Sequence, residues 1–366
     1  MALIAGAPPP PRPRLPSVAW LTVLAPAAIV AHQLGHEGIA FVAALLTLAG
    51  GAFVLGEAAE VVARRLGEGL GSLLVATMSN MVTLVLVGAA LLHGFYAIVR
   101  AAIVGAILGN LLLALGGAMM IGGLGRERQR FSIEAAGSNT SLLVLASFAV
   151  IIPTIVGGLS GEAGADRAAS LSLPIAVVLL GAYLLGLVFS VRTHRHLFNT
   201  KPTGHSPLHE APPWIERMPV LLLVAGVALV AWMSIIVAEG IEPVALANGV
   251  PANFLGIIVL GAVANSVEIV SALRSAHRDR MNVAFQLVTG SGIQVMLFVL
   301  PVLVLVSAAL PYGVFSLTFP LTMAAAIGMA TFLVHLVASD GESNWYEGAL
   351  LLVLYGILGV VFFVVP

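Results

Sequence analysis

Eleven separate stretches of this chain are long and apolar enough to fill the hydrocarbon core of a bilayer. They fall near residues 16–32, 38–62, 70–92, 97–123, 138–158, 171–191, 217–239, 248–272, 282–308, 314–338 and 345–365. A helix of about 20 apolar residues reaches across that core. Hydrocarbon offers no partner to a backbone amide, so each stretch is expected to satisfy its own amides as a helix. Composition agrees. Hydrophobic residues make up 60% of the chain and charged residues 9%, against about 25% charged in a soluble domain. Too little polar residue remains to coat a soluble surface. The 16 Lys and Arg balance 17 Asp and Glu, so no cationic surplus is left for nucleic acid. With 0 Cys, disulfides, thiolate metal sites and thiol nucleophiles are excluded. The expected fold is therefore an all-α polytopic membrane protein of about 11 transmembrane helices, with lipid as its surroundings.

The few cations test the layout. Arg12 and Arg14 lie in a short Pro-rich tail, residues 1–15, and Arg64 and Arg65 follow the second stretch. Arg126, Arg128 and Arg130 follow the fourth, and Arg192, Arg195, Lys201 and Arg217 the sixth. Arg274, Arg278 and Arg280 follow the eighth. All of these fall on one side of an eleven-span chain, and only Arg100 and Arg167 on the other. The positive-inside rule then places the N-terminus in the cytoplasm and the C-terminus outside. For the first stretch a cleaved signal peptide competes with a first span, and a first span is expected, since basic residues followed by an apolar run describe one equally well. The longest loop, residues 192–216, carries His194, His196, His205 and His209. Pro and Gly interrupt them and no carboxylate cluster joins them, so a solvated cytoplasmic linker is expected rather than a metal site.

That linker separates six stretches from five, and the two parts match at an offset of 185. Asn80 falls on Asn265, Thr83 on Glu268, Gly105 on Gly290 and Glu57 on Glu242. Residues 38–191 and 217–366 then form two five-helix units, with 16–32 left over as an isolated first helix. Five is odd, so the second unit runs inverted through the membrane. Inverted repeats are a mark of secondary transporters, whose site lies at the midplane where the repeats meet.

Polar groups inside the stretches point to the same place. Glu268 lies deep in LGAVANSVEIVSAL, where a carboxylate is costly and marks a functional site by default. The plainer alternative is a structural carboxylate, protonated or bonded between helices. Glu57, Glu60, Glu239 and Glu242 stand nearer the ends of their stretches, where solvation and function are both in play. Asn80, Ser79 and Thr83 in one stretch could simply bond their own helix or glue helices together. Their repeat match to Asn265 and Glu268 favours a shared site. Gly105, Gly109 and Asn110, and Gly290, Ser291, Gly292 and Gln294, permit close helix packing or an opened backbone facing an ion. Carboxylate, amide, hydroxyl and carbonyl oxygens suit a hard cation. Few His are present for a transition metal. Ser291 with His335 also resembles the dyad of an intramembrane serine protease. Thr289 then replaces the first glycine of the usual motif, and the repeat goes unexplained.

Five segments carry a resemblance that spans nearly the whole chain. They are LGEAAEVVARRLG (55–67), GAILGNLLLALG (105–116), FSIEAAGSNTSLLVLA (131–146), GAVANSVEIVSA (261–272) and SDGESNWYEGALLL (339–352). The chain resembles the calcium/proton antiporters of the cation/calcium exchanger superfamily. That resemblance implies an isolated helix plus two inverted five-helix repeats, transport of Ca²⁺ against H⁺, and no cofactor. It also implies a signature similar to Gly-Asn-Ala-(Thr/Ala)-Glu in each repeat, whose glutamates bind the cation and proton. The second repeat reads Ala264-Asn265-Ser266-Val267-Glu268, but the first reads Ser79-Asn80-Met81-Val82-Thr83, without the glutamate. The histidine that often follows the second glutamate is replaced by Ile269, and the acidic loop between repeats by the His-bearing linker.

Two carboxylates neutralise Ca²⁺, whereas one leaves a positive charge in a low-dielectric site. Three outcomes follow: another carboxylate such as Glu57 or Glu242 assists, the ion is Na⁺ or K⁺, or exchange is lost and the fold kept. The expected site is Glu268, Asn265, Asn80, Thr83, Gln294 and Ser291, with Glu57 and Glu242 on the entry or proton paths. Gly105 and Gly290 are expected at close backbone approaches. The expected location is the plasma (inner) membrane.

Overall fold

The structure is a computed structural model that describes residues 17–66, 77–78, 80–159, 169–193 and 217–365. Ser79, the cations Arg12, Arg14, Arg167, Arg195 and Lys201, and all four linker histidines lie outside the described residues. A 3₁₀ turn, Ser17–Leu24, leads into α1 (Ala25–Gln33), which is followed by α2 (Glu37–Leu66). Then come α3 (Met81–Leu92), α4 (Tyr96–Gly123), α5 (Ile133–Leu159) and α6 (Ser172–Val188). The remaining helices are α7 (Pro219–Asn248), α8 (Ala252–Ala264), α9 (Ser266–His277), α10 (Met281–Ser307), α11 (Leu321–Val337) and α12 (Trp345–Val364).

Six of these helices, α2, α4, α5, α7, α10 and α12, are long and apolar enough to cross a bilayer. The pair α8–α9 passes the same test as one bent element, turning by 56° at the break. Helices α1, α3, α6 and α11 are apolar but shorter. The stretch 248–272, expected as one continuous helix, is therefore corrected to two. The break falls on Asn265, whose side chain donates to Gly261 O at 2.8 Å in its own turn and to Ala106 O at 3.2 Å on α4. Asparagine competes in this way with the helical backbone, and so favours helix starts over helix interiors.

Helices α2 and α7 make the largest contact between elements, with α1 laid against both. The second half of α4 packs between α9 and α12, and α5 packs against α11 and α10. Beyond these helices lie two short strands. β1 (Gln129–Arg130) follows α4 and pairs antiparallel with β2 (Glu342–Ser343), which precedes α12. Arg128 and Arg130 both meet Glu342, at 2.7 and 3.1 Å. The connection between α4 and α5 in the first half is thereby clamped to the connection between α11 and α12 in the second.

The two halves carry matching irregularities. Helix α3 starts after Asn80 (φ −93°, ψ 6°) and α9 after Asn265 (φ −96°, ψ 16°). Helix α4 widens to a π-helical turn over Gly109–Ala114, and α10 over Val295–Val299. An offset of 185 superposes the first pair and brings the second within one residue. π-Turns widen a helix locally and are frequent at functional sites.

Candidate cation site

The break at Asn265 restarts a helix in the interior. Its first amides have no intrahelical acceptor and form the positive end of α9. Glu268 is the third residue of that helix and is 1% exposed. Thr83 is the third residue of α3 and is also 1% exposed, so the repeat pair stands at equivalent points of equivalent helix starts. Among the described residues Glu268 is the one fully buried side chain that can carry a formal charge. Both of its carboxylate oxygens lack a hydrogen-bond partner. So do Asn265 Oδ1, Ser266 Oγ and Asn110 Oδ1, all of them buried. Isolated buried oxygens of this kind are expensive, a carboxylate above all. Carboxylate, amide and hydroxyl oxygens are the ligand types a hard cation takes.

Other buried polar groups bond one another. Asn80 Nδ2 donates to Gln294 Oε1 at 2.6 Å, and Ser291 Oγ to Asn80 Oδ1 at 2.7 Å. Asn110 Nδ2 donates to Ser291 Oγ at 2.8 Å. The structure thus brings Asn80, Gln294 and Ser291 into one neutral network joining the start of α3 to α4 and α10. Asn110, for which the sequence left open close helix packing or an opened backbone facing an ion, belongs to it. The signal was an amide inside GNLLLALG, in an otherwise apolar span; Asn110 is matched at offset 185 by Val295, so repeat comparison passes over it. Ser266 was missed for the same reason.

The remaining expected residues fare unequally. Gly105 makes the close approach: a Cβ there would stand 2.5 Å from Ile257 O and 3.0 Å from Gly261 Cα on α8. Gly290 does not. Nothing lies within 4 Å of where its Cβ would be. It lines a cavity of about 690 Å³ between α5, α6 and α10, with Ser291 and Gln294 also on its wall. Each glycine lies nine residues past the first residue of its helix, so the contact is closed in one half and open in the other. The cavity wall includes Asn139 near the start of α5, Ser190 beyond α6 and Gln286 near the start of α10. These helix ends adjoin Arg130, Arg192 and Arg280, so the cavity lies toward the arginine-bearing face.

Glu57 is half-buried on α2; its neighbour Gly56 faces Val267, beside Glu268. Glu242 is exposed on α7. No cluster of three or more His, Asp or Glu suited to a metal occurs among the described residues. The protease dyad is not assembled. His335 Nδ1 meets Thr140 Oγ1 at 2.9 Å, while Ser291 is bound to Asn80 and Asn110.

Comparison with known proteins points the same way. Residues 36–192 and 218–364 match the family described as sodium/calcium exchanger protein. A Ca²⁺/H⁺ antiporter of Synechocystis sp. is 36% identical over 94% of this chain and 96% of its own length. The Ca²⁺/H⁺ antiporter ChaA of Bacillus subtilis is 33% identical over 89% of this chain and 92% of its own. The structure of native YfkE superposes with a TM-score of 0.78 at 30% identity, covering 94% of this chain and all of that one. A structure of the H⁺/Ca²⁺ exchanger CAX gives 0.72 at 12% identity, over 95% of this chain and 91% of that one, a likeness of fold alone. With both halves matched and relatives above 30% identity along most of its length, the chain belongs to the sodium/calcium exchanger protein family; it is a membrane transporter and not an enzyme.

Proposed function

We propose that the chain is a cation/proton antiporter of the plasma membrane, with Ca²⁺ as its first-choice cation. The observation that carries this reading is Glu268, fully buried at a helix break with both carboxylate oxygens unpartnered. A proton or a cation neutralises that carboxylate, but not both well, so competition at one group couples the two fluxes. Asn265 and Asn110 offer further oxygens, and Asn80, Thr83, Ser291 and Gln294 complete the wall. Glu57 and Glu242 stand on the two approaches or relay protons. The relatives named Ca²⁺/H⁺ antiporter support calcium.

The finer topology is part of the same proposal: eleven crossings, with 16–32 isolated and 38–191 and 217–366 as inverted five-helix repeats. The matched helix starts after Asn80 and Asn265 support it. Positive-inside orientation then makes the open cavity face the cytoplasm, while the Gly105–Gly261 contact closes the outer side. Alternating access exchanges these two arrangements.

In everted vesicles carrying an imposed proton gradient, the wild type takes up Ca²⁺ and Glu268→Gln does not. Unchanged uptake by the variant sinks the mechanism. One observation favours a second reading, Na⁺ or K⁺ against H⁺: Thr83 leaves the site with one negative charge. Na⁺ uptake exceeding Ca²⁺ uptake decides for it. A protein that has kept only the fold carries no cation at all.

A further inference from the structure

We infer that Thr83 sets the charge moved per cycle: the site exchanges one cation for one proton, so that Ca²⁺ transport is electrogenic. The inference rests on the antiporter reading and deepens it. Thr83 and Glu268 occupy the third position of equivalent interior helix starts, behind Asn80 and Asn265. A structure symmetric in chemistry as well as backbone would place a carboxylate at both. Here one position is a hydroxyl, and Glu268 is the one charge fully buried among the described residues. Asn80, at the start of the helix that carries Thr83, belongs to a neutral network in which Gln294, Asn80, Ser291 and Asn110 are bonded in series. The buried oxygens left unpartnered are those of Glu268, Asn265 and Ser266 around the start of α9, with Asn110 Oδ1 on α4.

The charge balance follows directly. With Ca²⁺ on Glu268 the site carries +1, and with a proton on Glu268 it carries 0. One turn of the cycle moves Ca²⁺ one way and one H⁺ the other, a net transfer of one positive charge. Na⁺ in place of Ca²⁺ moves none. A second carboxylate at position 83 would bring a second proton into the cycle and make Ca²⁺ exchange electroneutral.

The test uses the purified full-length protein in liposomes whose potential is clamped with K⁺ and valinomycin. Ca²⁺ and H⁺ fluxes are measured together. The expected ratio is one H⁺ per Ca²⁺. Each 100 mV of applied potential is expected to shift the Ca²⁺ accumulation ratio at equilibrium roughly 50-fold, equivalent to about 2.3 kcal/mol for one charge. Thr83→Glu is expected to raise the ratio to two and abolish the dependence on potential. Thr83→Gln, equally bulky but neutral, keeps the ratio at one, which separates charge from crowding. A wild type that exchanges two protons per Ca²⁺ and ignores the potential overturns the inference while leaving antiport standing. A protein with no cation-driven proton flux overturns both.

Discussion

Glycine substitution separates the two states of the site residue by residue. At Gly105 an added Cβ meets backbone oxygen and Cα of α8, atoms that cannot swing aside as a side chain can. Gly105→Ala is expected to destabilise by roughly 1–3 kcal/mol, the usual range for an overpacked core. Gly290→Ala meets nothing and replaces glycine inside a helix, so it is neutral or stabilising by up to about 1 kcal/mol. Thermal unfolding in detergent measures both. Equal losses at the two positions would contradict the one-sided closure. The sequence marked Gly105 and Gly290 as equivalents, and they are equivalents of position. What it could not carry is the conformational state, which makes one a contact and the other a cavity wall. Glu268 was legible because an acid deep in an apolar span has few innocent explanations. Ser266 was not, because a lone polar residue in a span usually bonds its own helix or a neighbour, and the same two readings kept Asn110 between packing and function.

Between elements, the clearest case is the clamp of β1 and β2. Arg128 hydrogen-bonds Glu342, with its charge and that of Arg130 adding to the effect, and together they hold the Glu342 carboxyl below its ordinary value of 4.5. A depressed carboxylate contributes stability that is fully present above its unfolded value and is lost as pH falls through its folded one. The wild type is therefore expected to melt above Glu342→Gln at neutral pH. The gap closes as pH drops below about 4.5 into the range of the lowered pKa. Melting curves of the two proteins across pH 3–7 measure this, and a gap that persists at the acid end removes the clamp from the account. The strands themselves were not legible. Two residues per strand show no alternation to read. The break between α8 and α9 was equally hidden, since no Pro or Gly marks it and the apolar run continues through Ala264. Helix existence, by contrast, followed from hydrophobic length alone.

For the whole molecule, charge arrangement and cavity position together predict sidedness. The cations expected inside and the open cavity adjoin the same face, through Arg130, Arg192 and Arg280. The chain has 0 Cys, so single cysteines can be introduced into an otherwise unreactive background. Ser190→Cys and Gln286→Cys line the cavity, whereas His93→Cys is exposed on the connection between α3 and α4, toward the opposite end. A membrane-impermeant maleimide is expected to label the first two in everted vesicles and the third in intact cells. Reversed labelling of all three would invert the orientation, and with it the direction of the positive-inside argument. Labelling of the cavity positions from both sides would contradict the closure at Gly105 and Gly261. A passage open at both ends dissipates the gradient it is meant to use, so exchange requires that the packed glycines on one face and the open wall on the other never coincide as two open mouths.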